Sequence, residues 1–240
     1  MKTLRVALIT GLLLGAGACG TAGARPQADP GQAAALSGDR LVRAAVANGG
    51  AAGSVTADIR SQVMGQLVAG TVSVDRAGHC SARLDIQKLG PVTYLTDGTR
   101  AWLTAGERLW GAERAALIGS RPVTGEASAQ PFASMELFCT AVSDSVLTGS
   151  PDLGRMTEQG TRGAGAERRS TFGDPANAVL EITGADTPYV TRYRAGEDNE
   201  PYEYTYRDWN RPVTLAVPRA DASVELSAVL GDTGDTGDTP

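Results

Sequence analysis

The chain has 240 residues, with 22 Lys and Arg against 27 Asp and Glu, one His and three Cys. A net charge of −5 without a basic run excludes recognition of nucleic acid through a cationic patch. The sole histidine, His79, excludes a His-rich metal site and leaves any Ser-His-Asp or Cys-His arrangement one candidate base.

Lys2 and Arg5 flank an uncharged apolar run, residues 6–18, of signal-peptide length and too short for a membrane-spanning helix. It ends in Ala16-Gly17-Ala18 before Cys19, a pattern that resembles a bacterial lipobox, whose cysteine receives diacylglycerol and acyl chains such as palmitate. The expectation is a signal peptide over 1–18 and a lipid anchor at Cys19, holding the protein on the extracytoplasmic face of the cell membrane. The competing reading is an ordinary secretory signal, cut at Ala18 or within the "TAGA" that follows. Two or more acyl chains make anchoring stable where one does not. Residues 19–35, rich in Gly, Ala, Pro and Gln, read as a flexible tether. Without residues 1–18 the net charge is near −7.

With Cys19 assigned to lipid, Cys80 and Cys139 remain in an oxidising compartment and are expected to pair. A bridge closing that loop stabilises by about 4 kcal/mol on the chain-entropy model. Two buried free thiols are the other reading.

In chain order, "LSGDRLVRAAVANGG" predicts a short helix capped by Ser37 or Asp39, with an apolar stripe of Leu41, Ala44, Ala45 and Val46 and a stop at Asn48-Gly49. "SVTADIRSQV" alternates, with Val55, Ala57, Ile59 and Val63 on one face. Val68, Val72 and Val74, then Ala82, Leu84 and Ile86, then "VTYLT" and "RAWLTA" continue the alternation between turn-like links such as "TDGT". This predicts a five-stranded antiparallel meander whose apolar face needs a cover. "GERLWGAERAALIG" is weakly helical, and "PFASMELFCTAVSDSVL" carries Met135, Phe138, Cys139, Val142 and Val146 on one helical face. From residue 153 strands resume, through "PYEYTYRDW", whose Tyr202, Tyr204 and Tyr206 share a face, to "VTLAVP". The repeat "GDTGDTGDTP", residues 231–240, cannot bury surface and is expected to be a disordered tail. The predicted fold class is α+β, one domain over 36–230 with about ten strands in a large curved antiparallel sheet wrapped on a few helices as a half-barrel.

The order of cap helix, meander with "DGTRAWLTAGERLW", helical insertion, and the C-terminal run in which Pro188 to Arg194 precedes Asp208-Trp209-Asn210 and "PVTLAVP" resembles the LppX/LprG class of actinobacterial lipoproteins, with its LolA-like fold. The resemblance spans roughly residues 36–226 and rests on strand order and one loose motif. It implies an apolar cavity between sheet and helices that accepts acyl chains of a lipid or glycolipid. The inward residues Val55, Ile59, Val63, Leu84, Ile86, Met135, Phe138 and Val142 are then the candidate lining. The same residues satisfy a filled core, and a lipoprotein of that kind would bind a protein partner or sense the envelope instead.

No motif calls for an enzyme, a metal or a cofactor. His79 sits in the turn "RAGHCS", "GTRGAGAE" lacks the ending of a phosphate loop, and "GEDNEPYE" reads as a solvated hairpin tip. Trp102, Trp110 and Trp209 are either packing anchors or a sugar platform. The expected state is a monomer.

Overall fold

The structure, a computed structural model, describes residues 38–63, 65–146, 156–174, 178–197 and 200–231. The expected signal peptide, the tether, Cys19 and all but the first residue of the tail lie outside these. The described residues build one open sheet of twelve strands flanked by helices.

The first meander forms where the alternation places it: β1 (Ser54–Val63), β2 (Gln66–Asp75), β3 (Cys80–Ile86), β4 (Gly90–Thr96) and β5 (Arg100–Ala105) pair antiparallel in sequence order. A sixth strand, β6 (Val123–Glu126), extends it. The sequence does not announce this strand, because four residues reading Val-Thr-Gly-Glu show no apolar alternation. The second half comprises β7 (Thr157–Arg162), β8 (Arg169–Gly173), β9 (Val179–Thr183), β10 (Val190–Ala195) and β11 (Tyr202–Arg207). It runs back toward the first, so that β11 pairs with β1 and β7 forms the far edge.

Two long helices lie on the inner face. The α1 helix (Gly38–Ala51) packs against β7, β9 and β10, and α4 (Phe132–Val146) packs against β2, β3 and β5. Between β5 and β6, α2 (Glu107–Trp110) and α3 (Ala112–Ile118) are split at Gly111, whose φ of 78° suits glycine. The α1 helix does not stop at Gly49: it continues to Ala51 with Gly49 buried inside it. A Cβ at Gly49 would lie 3.0 Å from the carbonyl oxygen of Val146 and 3.5 Å from the Trp209 ring. Glycine there serves close approach of the two helices.

Cys80, on the inner face of β3, and Cys139 of α4 form a disulfide, with Cα atoms 6.1 Å apart and a sequence separation of 59. Around it the core holds Val55, Val72, Ala82, Tyr94, Leu103, Phe132 and Val142 in the first half, and Phe172, Leu180 and Ile182 in the second, all buried.

The expected strand "VTLAVP" does not form. Both edges of β11 are taken, by β1 and β10, so the segment that follows cannot pair beside it. Asp208 (φ 53°) and Asn210 (φ 61°) turn the chain in left-handed conformations that Asp and Asn tolerate. Asn210 then clamps the start of β1: its Oδ1 accepts from Gly53 N–H at 2.8 Å, and its backbone N–H donates to the Ser54 carbonyl at 3.0 Å. From there residues 211–219 run over the outer face. Arg211, Pro212, Val213 and Thr214 share with Thr56, Ser73, Ser81 and Arg83 a polar hollow of about 470 Å³. The segment ends in β12 (Val224–Glu225), which pairs with β6, and α5 (Leu226–Leu230). The β12–β6 pair is parallel, so the sheet is mixed at this edge rather than antiparallel throughout.

Candidate functional site

The first two strands are ten residues long and the next two seven, so the β1–β2 hairpin overhangs its neighbours. Its inner face toward that end carries Ile59, Ser61 and Val63 from β1, with Gln66 and Val68 from β2. With these, Ile86 at the end of β3, Lys88 and Leu89 in the following turn, and Tyr204 of β11 line a pocket of about 610 Å³. Its opposite wall is α4, through Ser134, Met135, Leu137, Phe138 and Ala141. The size falls in the range of small-molecule sites, as does a mainly apolar lining with a few polar groups.

The pocket exists because the helix wall and the strand floor diverge beyond the core. Val142 and Cys139 face the sheet and are fully packed, whereas Phe138 is only partly buried and Leu137 is 67 % exposed. Val63, at the hairpin tip, is 44 % exposed. The disulfide fixes α4 close to this point, at Cys139, between Met135 and Val142.

Of the eight candidate lining residues, Ile59, Val63, Ile86, Met135 and Phe138 meet in this pocket. Val55, Leu84 and Val142 are buried in the core and do not line it. Gln66, Lys88, Ala141 and Tyr204 line it without being among the candidates. Lys88 carries a signal, since Lys occurs only at positions 2 and 88, and Tyr204 lies on the tyrosine face of "PYEYTYRDW".

That face continues the floor. Tyr193, Tyr202, Tyr204, Tyr206, Trp209 and Tyr189 form an unbroken series of ring contacts, with centroids 4.8–6.0 Å apart. Burial pushes the phenols of Tyr204 and Tyr206 up from their ordinary range, and the Tyr206 hydroxyl is bonded to Ser145 Oγ of α4 at 2.9 Å. These phenols stay neutral at physiological pH and present an amphipathic, uncharged surface.

His79 is held in its turn. Its Nδ1 lies 2.8 Å from Asp75 Oδ2, while Asp75 Oδ1 accepts the backbone N–H groups of Ala77 and His79. Trp209 stacks on Tyr189, and Trp102 packs on the outer face as the register partner of Leu95. No two of the three tryptophans are in ring contact among the described residues. Among the described residues no group of three or more His, Cys, Asp or Glu could hold a metal, and no helix is long and apolar enough to cross a membrane.

No protein-family model matches the chain, and no curated protein does either. Among solved structures it is similar to lipoprotein LppX of Mycobacterium tuberculosis, at 13 % identity and a TM-score of 0.48 over 73 % of this chain and 96 % of that one. It is also similar to LprF of Mycobacterium bovis, at 12 % identity and a TM-score of 0.49 over 75 % and 95 %. An uncharacterized conserved protein of Thermus thermophilus matches at 9 % identity and a TM-score of 0.34 over 77 % and 96 %. LppX is a namesake of the class that the sequence resembles.

Proposed function

We propose that the protein is an extracytoplasmic lipoprotein, anchored to the cell membrane through Cys19, whose domain over 36–230 binds an acylated lipid or other hydrophobic ligand between α4 and the sheet. In this reading residues 1–18 are removed as a signal peptide, 19–35 space the domain from the membrane, and 231–240 play no part in binding. The observation that carries the reading is the 610 Å³ pocket with its largely apolar lining. Such a site needs no catalytic acid or base. Each methylene that enters gains about 0.8 kcal/mol, so ten of them supply roughly 8 kcal/mol, against an association cost of about 4–15 kcal/mol. The two are of similar size, which suits a carrier that must release what it holds.

The test is mass spectrometry of organic extracts from the full chain carrying Cys19→Ser, purified from a bacterial host without detergent. A stoichiometric acylated species supports the reading and names the ligand class. A clean extract, together with no uptake of added lipid, overturns it in favour of a lipoprotein that captures a protein partner.

A further inference from the structure

We propose that the pocket takes one acyl chain rather than several, that the head of this ligand is anionic, and that Lys88 at the mouth reads its charge. The inference rests on the hydrophobic-ligand reading and goes further in naming the ligand. Three observations carry it.

The first is charge. Of the described residues that line the pocket, Lys88 alone is charged, and it is exposed in the turn between β3 and β4. No carboxylate lines the pocket, and Lys88 has no ion-pair partner among the described residues. The chain as a whole is acidic, at −5. A lone ammonium beside an apolar cavity on such a protein attracts an anion, and the low-dielectric wall strengthens that attraction relative to open water.

The second is size. A water-sized group fills about 30 Å³, so the 610 Å³ of the pocket holds about twenty such groups. That is one acyl chain of common length with the first atoms of its head.

The third is a polar atom left over. Gln66 lines the same pocket, and its buried Oε1 has no hydrogen-bond donor among the described residues. A buried acceptor without a donor is costly, and a hydroxyl on the ligand head would satisfy it where a bare carboxylate would not. The ligand is therefore a single-chain amphiphile whose head combines an anion with a hydroxyl, the chemistry of a lysophospholipid with a glycerol head.

The experiment titrates the full chain carrying Cys19→Ser with four probes of equal acyl length: lysophosphatidylglycerol, lysophosphatidylcholine, monoacylglycerol and two-chain phosphatidylglycerol. Each is read by displacement of a fluorescent apolar probe and by native mass spectrometry, with Lys88→Gln measured alongside. The expected result is one-to-one binding of lysophosphatidylglycerol, at least tenfold tighter than monoacylglycerol, with the preference weakening as salt is raised. Lys88→Gln should reduce that preference to less than threefold. Equal affinity for the anionic and neutral single chains, or a preference that survives Lys88→Gln, overturns the role of the charge while leaving the pocket as a lipid site. Tighter binding of the two-chain lipid overturns the single-chain assignment. Failure of every lipid to displace the apolar probe removes the hydrophobic-ligand reading itself, and this inference with it.

Discussion

The buried phenol of Tyr94 donates a 2.7 Å hydrogen bond to Glu136 Oε2, joining the middle of the sheet to the helix that forms the pocket wall. Hydrogen bonds to a charged acceptor are worth about 1.5–3 kcal/mol. Tyr94→Phe is expected to lower stability by about 2 kcal/mol in urea unfolding at neutral pH. A loss within experimental error would mean that water replaces the phenol at Glu136.

The same group makes stability depend on pH. Burial, then the Glu136 hydrogen bond, raises the Tyr94 phenol far above its ordinary value of 10.0, and burial does the same to Tyr206. In the unfolded chain both would ionise near pH 10. Above that pH the unfolded state sheds protons that the folded state keeps, so stability is fully present below it and falls as pH rises past it. Denaturation midpoints should decline above about pH 10, and less steeply in the Tyr94→Phe, Tyr206→Phe double variant. An identical decline in both proteins would assign it to other groups.

Replacing both Cys80 and Cys139 with Ser removes the link between β3 and α4. The expected cost is about 4 kcal/mol, from the entropy that the unfolded chain regains. Reduction of the wild-type protein should reproduce it. Agreement of oxidised and reduced midpoints would contradict the pairing.

Ala141 lines the pocket from α4, so a larger side chain there projects into space rather than into packed atoms. Ala141→Phe is expected to reduce lipid uptake at least tenfold while changing stability by less than about 1 kcal/mol. Overpacking in the true core costs about 1–3 kcal/mol, so a large destabilisation would show the site to be filled.

Gly70 sits mid-strand in β2, opposite Leu84 of β3. A Cβ there would lie 2.1 Å from the carbonyl oxygen of Arg83 and 2.8 Å from the Cα of Leu84, both backbone atoms. Neither can swing aside as a side chain tip does. Gly70→Ala should cost more than about 3 kcal/mol, at the upper end for a single substitution; thermal unfolding close to wild type would mean that the strands can separate locally.

Much of the sheet is legible in the chain because each strand of the first meander buries one face only. Val72, Val74, Ala82 and Leu84 alternate with polar residues for that reason, and α4 shows its stripe because only one side meets the sheet. What the residues do not carry is position in the third dimension. Val55 and Ile59 have the same local pattern on the same strand, yet one is core and the other lines the pocket. The difference is where α4 crosses, which no local signal records. The "VTLAVP" run has strand propensity but no edge beside β11 to join, because β1 and β10 already occupy both sides of it. Lys88 stands out by rarity, but that it lines a pocket depends on the overhang of a hairpin elsewhere in sequence.

The pairing of β1 with β11 also sets the order in which the molecule can be finished. Strands β1 to β6 are neighbours in chain order and can assemble locally, but the second edge of β1, ten residues long, stays open until β11 docks on it. Unpaired edges of that length template association with other chains. Asp58 and Arg60, on the outward face of that strand, place charge beside the waiting edge and oppose such contacts. Asn210 then locks the junction only after β11 has docked, through its bonds to Gly53 and Ser54. Docking of β11 is thus what turns two half-sheets into one, and until then the folding chain carries an open β1 edge.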